Sequence, residues 1–135
     1  HEFIPAPIHA GGLRYHGKAP TLCILAIEKK VQTVAYNQLE VFEAAKLFAR
    51  TEGIIPAPEP SHAIKAVVDE ALRCKQTGRE ETILFLLCGH GHFDMQAFDD
   101  YNHGKLEPYA YPEEEVKEAM KKLRELYPWL ASLPY

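Results

Sequence analysis

Residues 82–88 read TILFLLC, an apolar run that offers nothing polar to either side from Ile83 onward. A β-strand tolerates this when both faces of its sheet are covered, and in α/β proteins helices on a parallel sheet do the covering. The run is therefore expected to be a central strand. The flanking sequence supplies the alternation that such a fold needs. Residues 21–30 suit a short helix, and QTVAY (32–36) suits a strand. Asn37 followed three residues later by Glu40 resembles a capping box; Val41, Phe42, Ala45, Phe48 and Ala49 then recur at helical spacing, and Gly53 closes the helix. IIPAPE (54–59) is extended, and its prolines confine it to a short or edge strand. Ser61 is expected to cap a third helix with Ile64, Val67, Val68, Ala71 and Leu72 on its apolar face, ending before Gly78. Asp94 to Tyr101 continues as a helix. Pro112 opens a last one, with Glu113, Glu114 and Glu115 in its first turn and Val116, Ala119, Met120 and Leu123 on one face. The expected fold class is α/β: three layers around a mainly parallel sheet, in a single domain of residues 1–135. An extended Gly/Pro-rich segment occupies 1–20, and a C-terminal helix with an apolar tail occupies 112–135.

Composition narrows the partners. With 15 Lys and Arg against 19 Asp and Glu, a net charge of −4 leaves no basic surface for a polyphosphate, so nucleic acid is not expected. No stretch approaches the ~18 apolar residues of a membrane span, and no charged start leads into an apolar core as in a secretion signal. A soluble, cytoplasmic chain without a membrane partner is expected. Cys23, Cys74 and Cys88 are odd in number and form no C-x-x-C pair, which suits reduced thiols better than disulfides or a structural zinc. The start, His1-Glu2-Phe3 running into FIPAPI, reads as a chain entered midway.

In open α/β sheets ligands bind beyond the carboxyl ends of the strands, where helix N-termini present free N–H groups. Cys88 and Glu59 are both expected there. The stretch CGHGHFD (88–94) admits a metal reading through His90, His92 and Asp94, with His103 further on, but the spacing matches no helix-borne zinc arrangement. Loop histidines bonded to backbone or water are the plainer account. Gly89 and Gly91 would let backbone N–H groups approach an anion or a ring. In AGGLRYHG (10–17), Arg14 is a carboxylate fork or the exposed end of a surface turn. Glu59 sits between two prolines at a helix N-terminus, which favours its ionised form whether it binds a guest or only caps the helix. Cys88 is a nucleophile only beside a base, and none can be placed; a buried structural thiol is the alternative. No lysine lies in an apolar or glycine-rich setting that would depress its pKa for covalent chemistry.

Taken in order and spacing, IHAGGLRYHG, EVFEAAKLFARTEGIIPAPEPSHAI and ILFLLCGHGHFDMQAFDDY resemble the carboxyl-terminal third of the tryptophan synthase β chain, in particular its divergent second branch. The resemblance covers nearly the whole chain. It implies part of the cofactor domain of a fold type II pyridoxal phosphate enzyme, a lyase of tryptophan biosynthesis that replaces the hydroxyl of L-serine with indole to give L-tryptophan. Glu59 matches the glutamate beside the cofactor ring. Cys88 matches the position that bonds the pyridine nitrogen, where the family usually has serine, and a thiol is a weaker, longer partner than a hydroxyl. Gly89 follows it at the ring. Gly12 and Arg14 match the substrate loop; the better-known branch has aspartate at the Arg14 position and the second branch has arginine. The backbone carbonyls of Leu13, Tyr15 and Gly17 match the region that holds a monovalent cation, and no other metal is implied. The Schiff-base lysine and the phosphate loop lie upstream in the family and have no counterpart here, so the 135 residues are expected to be inactive alone. The implied partners are the missing N-terminal portion of the same enzyme, a second copy in a homodimer, and a tryptophan synthase α subunit.

Two rival readings stand beside this one. The first is a free-standing, non-catalytic α/β module that binds a partner, suggested by Tyr127, Trp129, Leu130 and Leu133 in the tail YPWLASLPY. The other is a metallohydrolase using His90, His92 and Asp94.

Overall fold

The computed structural model describes residues 7–15 and 17–132. The expected extended course of residues 1–6, and the tail beyond residue 132, lie outside these. The described chain is helical, in the order 3-10 turn Gly11–Arg14, α1 (Pro20–Ile27), α2 (Gln38–Glu52), α3 (Pro58–Thr77), α4 (Met95–Asn102), α5 (Glu113–Leu126) and 3-10 turn Pro128–Ser132. It divides into two compact units. One, Pro7–Tyr15 with Val34–Tyr109, carries α2, α3, α4 and the first 3-10 turn; the other carries α1, α5 and the second 3-10 turn.

Local signals set the helix limits. At the start of α2 the Asn37 side chain accepts the Leu39 N–H at 3.0 Å, and Glu40 reaches back to the Asn37 N–H at 3.1 Å, closing the box that the sequence spells out. Gly53 and Gly78 end α2 and α3 in the left-handed conformation, with φ of 71° and 68°, where a Cβ would be strained. The third helix begins earlier than expected. Pro58 occupies its first position, where a fixed φ and a missing N–H are both harmless, so Ala57 is the N-cap and Ser61 lies inside the first turn. The fully buried Ser61 hydroxyl donates instead to the Ala57 carbonyl at 2.7 Å.

In the unit that holds α2 and α3, the core is built around Phe42, 1% exposed. Its ring meets Phe98 edge-on, with centroids 5.1 Å apart, and stacks on Tyr101 at 5.5 Å. Ala45 and Ala97 let α2 and α4 approach, and Ile55 and Leu106 close the cluster. Burying a side chain of this size stabilises a fold by roughly 1.5–3 kcal/mol. Outside the core, Asp69 on α3 accepts hydrogen bonds from Lys65 and from Tyr36, and the Lys65 ammonium lies 5.3 Å from the centre of the Tyr36 ring. That contact holds the segment before α2 against α3. The hydrogen bond with Asp69 lifts the Lys65 pKa and lowers that of Asp69.

The mainly parallel sheet expected around residues 82–88 is not formed among the described residues, and QTVAY is not a strand either. A strand exists only through hydrogen bonds to a neighbouring strand, and among the described residues none pairs with this segment. The 82–88 segment instead keeps one side against α2, where Phe85 meets Phe48 edge-on at 5.8 Å, and leaves the other side bare: Leu84 is 92% exposed and Leu86 79%. The β-type pairing among the described residues is a single antiparallel bridge, between Pro56 and His90.

In the other unit, α5 starts after Pro112 with three glutamates where the helix dipole favours them. Its polar side carries ion pairs one turn apart, Lys117 with Glu114 at 2.7 Å and Lys122 with Glu118 at 2.9 Å. Val116 and Leu123 on its apolar stripe stay exposed, as do Tyr127 and Trp129 after it.

Candidate functional site

The site grows from the crossing of two short segments. The Ala57 N–H donates to the Gly89 carbonyl at 3.0 Å, and the Gly91 N–H donates to the Ile55 carbonyl at 2.8 Å, flanking the Pro56 to His90 bridge. Pro56 has no N–H to give, but at this register the bonds come from its neighbours, so its ring is buried without leaving a ladder bond unmade. Gly91 is a requirement of the same crossing: a Cβ there would stand 2.5 Å from the Pro56 oxygen and 2.9 Å from the Ile55 side chain. The expectation that Gly91 frees an N–H for a ligand is therefore corrected. Its N–H is engaged by Ile55 and its missing side chain is filled by Pro56. Gly89 is half-buried, and a Cβ on it would lie 3.1 Å from that of Ala57.

On one side of the crossing the chain enters α3 through Pro58, Glu59 and Pro60. Both prolines are buried and Glu59 is half-buried, so the backbone is fixed while the carboxylate is left at the helix N-terminus. One carboxylate oxygen, Oε1, accepts the Gly12 N–H at 2.8 Å. This ties α3 to the Gly11–Arg14 turn, which closes on itself through the Leu13 N–H donating to the carbonyl of buried Ala10 at 3.0 Å. Arg14 and Tyr15 extend from the turn into solvent. On the other side of the crossing, Cys88 precedes Gly89 and is exposed. The backbone thus runs Cys88 and Gly89 alongside Ala57, one residue short of the turn that carries Glu59.

Asp94 joins this group. Burial lifts its pKa above the ordinary carboxylate value and the negative charge of Glu59 lifts it further, while His90 and His9 pull it down. Asp94 therefore feels a second carboxylate and two imidazoles at this end of the unit. In the sequence Asp94 reads as a candidate metal ligand and as the start of a helix, and His9 carries no signal of its own. Position 94 did carry a signal, as the N-cap of α4, but the approach of His9 comes from tertiary packing alone.

The other residues singled out fall as follows. Leu13 and Tyr15, whose carbonyls match the cation region, lie in the same unit as Glu59; Gly17 belongs to the other unit. The His90 and His92 rings are neighbours, with centroids 4.9 Å apart, but among the described residues they do not converge with Asp94 or His103 on a common point that three donor atoms could share. Such a convergence does occur for Glu70, Cys74 and Glu81, on and beyond α3, where the Arg73 guanidinium already lies, 3.0 Å from Glu81 and within 3.8 Å of the Cys74 sulfur. A groove of about 510 Å3 between α2 and α3 is lined by Ala44, Leu47, Val68 and Leu72 together with Lys46 and Arg50, and shares no residue with the crossing.

Chemically, the crossing offers a carboxylate with one oxygen fixed and one available, an accessible thiol, and a guanidinium on a short turn. These can accept a hydrogen bond from a ring or an ammonium group, meet a ring nitrogen, and fork a carboxylate.

No protein-family profile matches the chain. Among curated proteins it is 64% identical over 106 residues to "Tryptophan synthase beta chain 2" of Aquifex aeolicus (strain VF5), a match covering 78% of this chain and 24% of that one. It is 62% identical over 109 residues to "Tryptophan synthase beta chain" of Thermococcus gammatolerans, covering 81% and 25%. It is 60% identical over 114 residues to the protein of the same name from Thermococcus onnurineus, covering 84% and 26%. The chain spans about a quarter of the length of these relatives.

Proposed function

Because the chain belongs to the tryptophan synthase β-chain family, we propose that it supplies the carboxyl-terminal part of a pyridoxal phosphate-dependent lyase of fold type II. That enzyme condenses L-serine with indole to give L-tryptophan. The observation that carries this reading is the crossing of 55–57 with 89–91, which runs Cys88 and Gly89 beside the entry to Glu59. The residues fit one edge of a flat heteroaromatic ring: Cys88 is exposed beside the crossing, and Glu59 keeps its second oxygen available. In this reading pyridoxal phosphate would act as the electron sink of the reaction. The residues of this chain orient and recognise. Cys88 faces the ring nitrogen, Glu59 and the Gly89 backbone line the ring, and Arg14 with Gly12 faces the amino-acid substrate. The carbonyls of Leu13 and Tyr15, in the same unit as Glu59, face a monovalent cation in this reading.

The reading assigns no Schiff-base lysine and no phosphate loop to these 135 residues, so activity requires the upstream portion of the same enzyme. The bare side of 82–88 supports that partnership. Leu84 and Leu86 are too exposed for a strand-forming segment in its final setting and suit burial under a further strand and helices. A second copy and a tryptophan synthase α subunit complete the proposed assembly, which works in the cytoplasm. Among the described residues no helix is long and apolar enough to cross a membrane.

The test mixes this chain with the upstream portion of a tryptophan synthase β chain, pyridoxal phosphate, serine and indole. Tryptophan is expected from the mixture and from neither part alone. Cys88 is expected to become protected from a thiol reagent in the mixture while exposed Cys23 keeps reacting. Specific cofactor binding or turnover by this chain alone overturns the claim that it is incomplete.

A second reading, a non-catalytic partner-binding module, draws on the exposure of Tyr127 at 50% and Trp129 at 64% after the amphipathic α5. Stable self-association without rescue of activity would favour it.

A further inference from the structure

The assignment of Glu59 to the ring and Arg14 to the substrate, on which this inference rests, treats the two as separate contacts. We propose that Glu59 is also the positioning residue of the Gly11–Arg14 turn, so that a single carboxylate links the ring side of the pocket to its substrate side.

Three observations carry this. First, Glu59 Oε1 accepts the Gly12 N–H at 2.8 Å across 47 positions of sequence, and Gly11 to Tyr15 are exposed, so this bond ties the turn itself to α3 while His9 and buried Ala10 anchor the chain just before it. Second, the fit is steric as well as polar. A Cβ at Gly12 would stand 3.3 Å from Glu59 Cγ and 3.6 Å from Oε1, so the carboxylate packs closely over a position without a side chain and would shift by a few tenths of an ångström to clear one. The φ of Gly12 is not in the left-handed region, so space and not backbone conformation is what an alanine would violate. Third, the point where a Cβ of Gly11 would stand is 3.7 Å from Glu59 Oε1 and 4.0 Å from Arg14 Nη2. The guanidinium and the carboxylate therefore lie on the same side of the turn.

The consequence is a coupling. A guest that donates to Glu59 either uses the second oxygen and leaves Arg14 in place, or takes Oε1 and frees the turn.

The experiment reads the turn directly in the 135-residue chain, by exchange of the Gly12 amide and by the rate of tryptic cleavage after Arg14, each set against cleavage after exposed Arg79. Glu59→Ala is expected to speed both by about tenfold, the scale of one hydrogen bond to a charged group. Glu59→Gln, which keeps an acceptor oxygen, is expected to restore both to within about twofold. Gly12→Ala is expected to speed both several-fold in the parent chain, by pushing the carboxylate away, and to add nothing in the Glu59→Ala background. Unchanged rates in Glu59→Ala, or effects of Gly12→Ala and Glu59→Ala that simply multiply, would overturn the proposal. If Glu59→Ala loses helix content, the parent chain decides: exchange of the Gly12 amide no slower, relative to its intrinsic rate, than that of the Gly11 amide rejects the latch. These readouts need neither cofactor nor upstream chain. An intact latch without rescue of activity defeats the enzyme reading alone, and rescued activity without a latch defeats only this inference.

Discussion

At the scale of single residues, Gly91 shows how little the type of a residue reveals about its role. Beside Gly89 and two histidines it reads as part of a ligand-holding loop, yet its lack of a side chain serves the approach of Pro56. Gly91→Ala is expected to cost at least ~2 kcal/mol of stability, in the range of overpacked sites whose neighbour is backbone and cannot swing away. Denaturant unfolding of the purified variant measures it. Gly89→Ala, which meets only the Ala57 methyl, should cost less. Asp94 gives a pH signature. Its folded-state pKa lies above that of a free carboxyl, so the proton is held more firmly in the folded chain. The stabilisation is present in full below about pH 3.9 and is lost as pH rises through the raised value. At neutral pH the ionised side chain opposes folding. Asp94→Asn removes that opposition, and because Asp94 makes no side-chain cap bond, it removes no cap. The variant is expected to melt at a higher temperature than the parent at neutral pH, with the gap closing as the pH falls towards 3.

At the scale of elements, α2 is legible in the sequence alone. Asn37, Glu40 and Gly53 specify where it starts and stops through interactions within four residues, and the structure places each in that role. Asn37→Ala is expected to cost about 1 kcal/mol, read as a lower unfolding midpoint with the denaturant slope unchanged. At the start of α3 two local signals compete, a serine cap and a proline at the first helical position, and proline prevails by fixing its own φ. The 82–88 run is apolar enough for a central strand but forms none among the described residues. Its composition records what the segment can bury, and pairing depends on what lies beside it. Replacing Leu84 and Leu86 with lysine is expected to leave the melting of this chain within about 0.5 kcal/mol, as at other exposed positions, and to abolish rescue on mixing with an upstream portion. An unaltered rescue would show that this side stays in water in the complete enzyme.

At the scale of the whole molecule, stability in the unit holding α2 and α3 rests on few side chains. Phe42 touches α4 through two aromatic rings, and His9 meets it edge-on from the N-terminal segment, with centroids 6.5 Å apart. Phe42→Ala is expected to cost about 3–5 kcal/mol, a large fraction of the ~5–15 kcal/mol typical of a domain, and to unfold the unit under mild denaturant, as read by loss of helical circular dichroism.

By itself the sequence determined the course of the helices, the closing glycines, the extended approach of 54–57 to the third helix, and, through its resemblance, the family. These rest on contacts between residues a few positions apart or on the whole ordered string of motifs, so they survive without knowledge of the fold. Only the tertiary structure decided that Gly12 hydrogen-bonds to Glu59, that the Gly91 N–H is engaged by Ile55, and that Asp94 feels His9. Each of these joins residues far apart in the chain. Such pairs are chosen by packing: the side chain that fits is fixed by the shape of the gap it fills, and that gap exists only once the segments around it have met.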